Sequence, residues 1–169
     1  EFIKYCANSY LAMRIGFINE MSDIAEKIGA DIDEVAYGIG LDKRIGCHYL
    51  KAGPGFGGSC FPKDTKALVN YSSEVKAKSL IVDAVIKSNN ARKKSMAQKI
   101  ISALGSKVKG KTVAILGMSF KADTDDIRDS SSFVVIPELI KKGVKVKAYD
   151  PSNSRELEGK FSKNFHLCF

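Results

Sequence analysis

The chain has 169 residues, of which 44% are hydrophobic and 27% are charged, a balance typical of a globular protein with a buried core. No run approaches the roughly eighteen apolar residues that a membrane-spanning helix needs, and no signal peptide opens the sequence. The 27 basic residues exceed the 19 acidic ones, giving a net charge of +8 that favours anionic partners in general. Because the lysines are scattered and no aromatic-basic platform accompanies them, nucleic acid is not the expected partner.

The cysteines and histidines show no metal-binding pattern. The sequence has two histidines, and no C-x-x-C spacing occurs among Cys6, Cys47, Cys60 and Cys168. We therefore predict no metal site, and reduced thiols in a cytoplasmic protein.

Two helices are predicted at the start of the chain. Apolar residues recur in steps of three and four over residues 2–28, which is typical of a long amphipathic helix, and Gly29 is placed to end it. The stripe is wide enough to require a partner helix and comprises Ile3, Ala7, Tyr10, Phe17, Met21, Ile24 and Ile28. Asp31 and Glu34 then form a capping arrangement for a short second helix.

The most site-like stretch combines glycines, a cysteine and charged residues. It reads GPGFGGSCFPKD from Gly53 to Asp64. Its glycines can bring backbone N–H groups close to the oxygen atoms of a ligand, as in anion-binding nests. Asp64 is placed to cap a helix running from Thr65, with Cys60 just ahead of the positive helix end, where thiols become reactive. A glycine-rich surface loop and a buried cysteine remain the alternatives.

Three polar residues outside this stretch gain interest only from their context. Lys4 and Asn8 lie four residues apart on the first predicted helix, so their side chains share one face. By spacing alone they are ordinary solvated positions. Arg44, in the polar loop LDKRIG, is by itself a surface charge.

A second long helix is predicted over residues 79–104. It would span nearly 40 Å at about 1.5 Å per residue, the length of a linker between two domains. Its apolar face comprises Ile81, Ala84, Val85, Ser88, Ile100 and Leu104. Its charged face comprises Lys87, Arg92, Lys93, Lys94 and Lys99.

An α/β unit follows this helix. Residues 112–117 and 144–149 are predicted as buried parallel strands, joined by a helix over residues 133–142. This strand, helix and strand order begins a doubly wound sheet of the nucleotide-binding type. The G-x-G-x-x-G fingerprint of dinucleotide binding is absent, because Gly117 is followed by MSFK.

Together these motifs resemble the UDP-glucose/GDP-mannose dehydrogenase family. The resemblance covers nearly the whole chain through KYCANSYLAMRIGFINE, GIGLDKRIG, GFGGSCFPKD, ILGMSFK and TDDIRDS. It implies a multi-domain fragment with an all-α central domain (residues 1–78), a long linker helix (79–105) and a partial Rossmann-like UDP-binding domain (106–169). It also implies an NAD-binding domain outside these residues, so the chain alone is expected to be inactive.

The resemblance further implies a reaction. The family oxidises the C6 alcohol of a nucleotide sugar to a carboxylate with two NAD per turnover. UDP-glucose is the expected substrate, with GDP-mannose or UDP-N-acetylmannosamine as the alternative. Cys60 would be the nucleophile, Lys4 and Asn8 would stabilise negative charge on the substrate oxygen, and Asp64 would orient the lysine or the hydrolytic water.

The implied ligand contacts are spread along the chain. The substrate-binding residues would be Arg44, Leu50, Lys51, Gly53, Gly55, Phe56, Gly57 and Lys121. Arg44 would reach a substrate bound in the neighbouring subunit, which implies a homodimer formed through the central helical domain. Arg128 would lie near NAD, although a surface charge cluster is its plain alternative. A non-catalytic module for dimerisation and ligand holding is the alternative from another class.

Overall fold

The computed structural model describes residues 1–152, 160–161 and 164–168. The chain forms two compact units, one of Glu1–Phe56 with Cys60–Arg92 and the other of Gly57–Ser59 with Lys93–Phe169. The elements in chain order are α1 (Phe2–Ile28), α2 (Ile32–Gly40), α3 (Phe61–Glu74), α4 (Leu80–Leu104), β1 (Thr112–Leu116), α5 (Ser132–Lys141), β2 (Lys145–Tyr149) and β3 (Phe165–Cys168). The predicted fold class, helical first and Rossmann-like second, is confirmed; the domain boundaries stay predictions.

In the first unit, the predicted C-terminal end of α1 and the predicted start of α2 are confirmed. Gly29 ends α1 in the left-handed conformation, with φ of 75°, which glycine adopts without steric cost. Asp31 begins α2, where its side chain accepts hydrogen bonds from the backbone N–H groups of Asp33 and Glu34.

The predicted apolar stripe of α1 is mostly exposed within this chain. Ile3 is 85% exposed, Phe17 50% and Ile28 73%. The buried face of α1 instead carries mostly small or polar residues, namely Ser9, Ala12, Gly16, Ile18, Asn19 and Ala25. Small side chains let neighbouring segments approach this face closely, so the wide stripe is left facing outward.

The predicted start of α3 is wrong. The helix begins at Phe61 with Cys60 at the cap position, and Asp64 lies within its first turn. Pro62 is compatible with this start because the first-turn N–H groups of a helix have no intrahelical partner. The side chain of Asp64 is consequently available for other contacts, and Cys60 lies at the helix N-terminus itself.

In the second unit, the three strands form a parallel sheet in the order β1, β2, β3. The helix α5 packs on β2, and the core comprises Ala97, Met118, Val135, Ile136, Leu139, Val144, Val146, Ala148 and Leu167. The predicted strand, helix and strand are confirmed, whereas β3 was not predicted. The prediction that both strands are buried is wrong, since alternate residues are exposed in each: Thr112, Ala114 and Leu116 in β1, and Lys145, Lys147 and Tyr149 in β2.

Among the described residues, none of the helices combines the length and the apolarity that a membrane crossing requires.

Candidate active site

A buried carboxylate joins side chains from two helices of the first unit. Asp64, on α3, has a side chain with 0% exposure. Asn8 on α1 donates from Nδ2 to Asp64 Oδ2 over 2.6 Å, and Lys4 Nζ lies 3.8 Å from the same oxygen. Lys63 Nζ donates to Asp64 Oδ1 over 2.6 Å. These four residues form one polar group, which we call the Asp64 cluster.

The Asp64 cluster stabilises the ionised carboxylate. The hydrogen bond from Lys63 lowers the pKa of Asp64, with further lowering by Asn8 and Lys4, and together these outweigh the opposing effect of burial. The same bond raises the pKa of Lys63. The side chains of Lys4 and Lys63 remain 56% and 64% exposed. A ligand can therefore reach both cations from solvent while the carboxylate stays buried.

The thiol of Cys60 is exposed at the start of α3. Its carbonyl accepts a hydrogen bond from Asp64 N over 2.8 Å, which places the two residues one helical turn apart. The Lys63 ammonium also interacts electrostatically with Cys60. Negative charge that develops at this position would be stabilised by the helix N-terminus and by this cation.

The residues before the thiol combine buried and exposed positions. Leu50 and Phe56 are 5% and 7% exposed, whereas Lys51 is exposed. Gly55 has φ of 114°, a conformation that residues with a Cβ rarely adopt. The ring of Phe56 meets that of Phe61 edge to face at 6.0 Å. Through this aromatic contact, Phe56 packs against the first residue of α3.

The next two glycines belong to the second unit and are packed tightly there. A Cβ on Gly57 would lie 2.3 Å from the carbonyl oxygen of Asp129, and one on Gly58 would lie 2.7 Å from the ring of Phe120. Gly58 N also donates to Arg128 O over 2.8 Å. Gly57 was predicted to bind substrate; close packing is a further reason for glycine at this position.

The two cations predicted to bind ligands in the second unit are both exposed. Lys121 Nζ lies 5.5 Å from the centre of the Phe120 ring. The side chain of Arg128 is 69% exposed and donates to both carboxylate oxygens of Asp126, at 2.9 and 2.7 Å. This pairing lowers the pKa of Asp126 to about 2 and fixes the orientation of the guanidinium group.

A second buried carboxylate lies at the end of β2. Asp150 is 3% exposed, and its Oδ2 accepts from the backbone N–H groups of Met118 and Ser119. Its Oδ1 accepts from the N–H and the hydroxyl of Ser152. Burial raises the pKa of Asp150, but these hydrogen bonds outweigh it and the net shift is downward. The sequence indicated only a polar turn here.

Arg44 lies on a loop of the first unit, with 89% of its side chain exposed and Asp42 as its ion-pair partner. The loop is fixed by Arg14, whose guanidinium donates to the carbonyl oxygens of Ile45 and Gly46. Arg44 is thus presented to solvent on a well-anchored loop.

Among the predicted catalytic residues, the structure joins Lys4, Asn8 and Asp64 through direct contacts and places Cys60 one turn away. It adds Lys63, which the sequence placed only among the charged residues that follow Cys60, without a role of its own. The prediction that Arg92 and Lys93 lie on a charged outer face of α4 is wrong, since the Arg92 side chain is 10% exposed and Lys93 is 5% exposed. The sequence does not distinguish these two basic residues from exposed ones, although their side chains are buried and donate to backbone carbonyl oxygens.

Comparison with known proteins gives both units a counterpart. Residues 1–91 match the central domain of the UDP-glucose/GDP-mannose dehydrogenase family, and residues 114–168 match the UDP binding domain of that family. The chain is 53% identical over 169 residues to UDP-glucose 6-dehydrogenase of Rickettsia bellii, covering 100% of this chain and 39% of the relative. It is 48% identical over 160 residues to the Rhizobium meliloti protein of the same name, covering 93% and 37%.

A solved structure supports the same relationship. A UDP-glucose dehydrogenase from the hyperthermophilic archaeon Pyrobaculum islandicum superposes with a TM-score of 0.92 at 36% identity, covering 99% of this chain and 39% of that one. The chain thus spans less than two fifths of the length of these relatives. The helical unit thus corresponds to the central domain of the dehydrogenase family, and the parallel-sheet unit to its UDP binding domain. The chain belongs to the UDP-glucose/GDP-mannose dehydrogenase family.

Proposed function

We propose that the protein carrying this chain is an NAD-dependent UDP-glucose 6-dehydrogenase, oxidising UDP-glucose to UDP-glucuronate. The observation that carries the proposal is the exposed thiol of Cys60 one helical turn from the Asp64 cluster, in a chain 53% identical to a protein of that activity. Lys121 and Arg128 are exposed cations suited to the anionic phosphates of substrate and cofactor.

In the proposed reaction, bound NAD supplies the hydride acceptor for each of the two oxidations. The orientation of the exposed Arg128 guanidinium, fixed by Asp126, fits a contact with an anionic dinucleotide. The Cys60 thiolate adds to C6 of the aldehyde, forming a carbon–sulfur bond while the carbonyl π electrons move to oxygen. The ammonium of Lys4 and the amide of Asn8 stabilise that oxygen; an amide NH₂ has two donors, of which the bond to Asp64 uses one.

Hydrolysis then releases the product. Once the sulfur adduct has been oxidised to a thioester, water adds to its carbonyl carbon, and the sulfur of Cys60 leaves with the electron pair of the carbon–sulfur bond. The exposed Lys4 can contact this water, while Asp64 holds the ammonium in position. The products are a carboxylate and the regenerated thiolate.

Replacement of the thiol tests the proposal in the enzyme that carries this chain. We expect Cys60→Ala to form no UDP-glucuronate while its Kd for UDP-glucose stays within about twofold of wild type. The reason is that the thiol reacts with the aldehyde intermediate and not with UDP-glucose itself. Cys47→Ala, at another exposed cysteine of the first unit, is the matched control and should keep full turnover. Turnover by Cys60→Ala would contradict the mechanism. Comparison with GDP-mannose and UDP-N-acetylmannosamine as substrates tests the proposed specificity.

The proposal includes a homodimer formed by α1 and a cytoplasmic location. Support for the dimer comes from exposed apolar residues at seven-residue spacing, Ile3, Tyr10, Phe17 and Ile24, which fall on one helix face. The same stripe on a second copy would bury it around a two-fold axis. Sedimentation equilibrium should show a dimer for wild type and for Leu80→Glu, and a monomer for Phe17→Glu. A dimer that persists in Phe17→Glu would place the interface elsewhere.

A further inference from the structure

The segment Gly53–Phe56 precedes the thiol. Its backbone is hydrogen-bonded at Gly53 and at Phe56 by side chains from α1 and α4. Asn89, on α4, accepts from Phe56 N at Oδ1 over 2.8 Å and donates from Nδ2 to Phe56 O over 3.0 Å. At the other end, Gly53 N donates to Asn19 Oδ1 over 2.7 Å, and Gly53 O accepts from Arg92 Nε over 2.9 Å. All four backbone polar groups of these two residues are therefore satisfied by side chains. We call Asn19, Asn89 and Arg92 the segment clamp.

The segment clamp is buried and is itself held in place. Asn19 is 3% exposed and Asn89 is 5% exposed. Arg92 donates from NH1 to Asp23 Oδ1 over 2.6 Å and from NH2 to Ser22 Oγ over 3.0 Å. A buried polar residue without partners is costly, so Asn89, whose side chain bonds Phe56 N and Phe56 O, requires the segment in its observed position. The segment depends on the clamp in turn, because the clamp side chains are the hydrogen-bond partners of the Gly53 and Phe56 backbone.

The chemistry of Asn89 is more specific than that of a buried polar filler. A carboxamide offers one acceptor and one donor side by side, which matches the C=O and N–H of one extended residue. Phe56 makes the complementary pair, with both bonds in the buried interior. Aspartate has the same shape but, when ionised, lacks the donor and would place a negative charge beside the Phe56 carbonyl oxygen.

We propose that Asn89 is a positioning residue for substrate binding: by clamping Phe56 it sets the backbone of Gly53–Phe56 that receives the nucleotide sugar. The inference rests on the proposed function, in which this segment binds UDP-glucose. Because the clamp acts on a surface that touches bound substrate throughout the reaction, its loss should weaken ground state and transition state alike. The effect belongs in KM and not in kcat.

Asn89→Asp in the enzyme that carries this chain provides the test, read as the ratio of variant KM to wild-type KM for UDP-glucose. At about pH 8 the introduced carboxylate cannot donate, and we expect the ratio to reach about ten with kcat within about twofold. At about pH 6 the ratio should fall toward one, because burial raises the pKa of the new carboxyl and its protonated form restores the donor. The charged groups of the clamp are Arg92 and its partner Asp23, with Lys93 one turn after Asn89 along α4; wild type measured at each pH removes pH effects that do not depend on residue 89.

The matched control is Asn90→Asp, the same change at the adjacent, exposed position of α4. Its KM ratio should stay near one at both pH values. An Asn89→Asp ratio near one throughout, or raised equally at both pH values, would overturn the inference and leave the proposed function intact. Wild type that fails to oxidise UDP-glucose would remove the proposed function and the inference together.

A second variant covers the case in which Asn89→Asp does not fold. Arg92→Lys keeps the charge but loses the planar fork that bonds Gly53 O and Asp23 at once. We expect a KM increase of several-fold in a variant whose circular dichroism spectrum equals that of wild type. An unchanged KM in that folded variant would overturn the inference.

Discussion

Among the described residues, two carboxylates are buried, those of Asp64 and Asp150, and they are bonded by different kinds of partner. Asp64, in the helical unit, is bonded by side chains, two of which are exposed lysines. Asp150, in the sheet unit, is bonded mainly by backbone N–H groups and by Ser152. An exposed side-chain partner can also bind a ligand, whereas a backbone N–H partner fixes the conformation of the main chain. Burial of a charge therefore does not by itself indicate chemistry; exposed side-chain partners that a ligand can reach do.

The largest expected effect is on activity, at Asp64. We expect Asp64→Asn in the enzyme that carries this chain to lower kcat by about a hundredfold, because the neutral amide no longer holds the Lys4 and Lys63 ammonium groups beside Asn8. Steady-state kinetics with UDP-glucose and NAD provide the measurement. Asp83→Asn, in the exposed ion pair with Lys87, is the control and should retain activity within about twofold. A mild effect at Asp64 would assign it to structure, like Asp150.

The second effect is on stability, at Asp150. We expect Asp150→Ala to lower the free energy of unfolding by about 2–3 kcal/mol, because Met118 N and Ser119 N lose their acceptor. Urea denaturation of the chain followed by circular dichroism measures the change. Glu138→Gln, which removes only an exposed ion pair with Lys141, should change it by less than about 0.5 kcal/mol. Equal losses in the two variants would contradict a structural role for Asp150.

The smallest effect is in the acid range and separates the two carboxylates by titration. The pKa values of Asp64 and Asp150 are lowered in the folded state, so the unfolded chain takes up protons first. Their contribution to stability is present above about pH 4 and is lost as the pH falls below it. Each carboxyl adds a slope of at most about 1.4 kcal/mol per pH unit. Urea titrations between about pH 4 and pH 2 should give a shallower slope for Asp150→Ala than for wild type; identical slopes would contradict the shift.

Periodic and capping signals predicted the elements well. The bounds of α1 and α4 follow from apolar spacing, and Asp31 begins α2 because its short carboxylate reaches the free N–H groups of the first turn. Asp64 misled the prediction for α3 because a carboxylate near a helix start has two possible uses, capping or tertiary contact. The family resemblance, and not the spacing, indicated that it belongs with Lys4 and Asn8.

The residues that support the site were the least predictable. Asn19, Asn89 and Arg92 bond to backbone far away in sequence, so no local pattern distinguishes them from solvated polar positions. The strand β3 is four residues long, too short to show a periodicity of its own. The contacts of these three side chains and the pairing of β3 depend on where distant segments meet. Local sequence patterns do not determine that.

Position 57 leaves room for a hydrogen atom and nothing larger, since a Cβ would lie 2.3 Å from the Asp129 carbonyl oxygen. A mutational library built around the thiol should therefore show two kinds of position. Substitutions at Lys51, which is exposed, would sample new ligand preferences among folded proteins. Substitutions at Gly57 would be depleted before any selection for catalysis, and so would substitutions at Gly58, whose Cβ would lie 2.7 Å from the Phe120 ring.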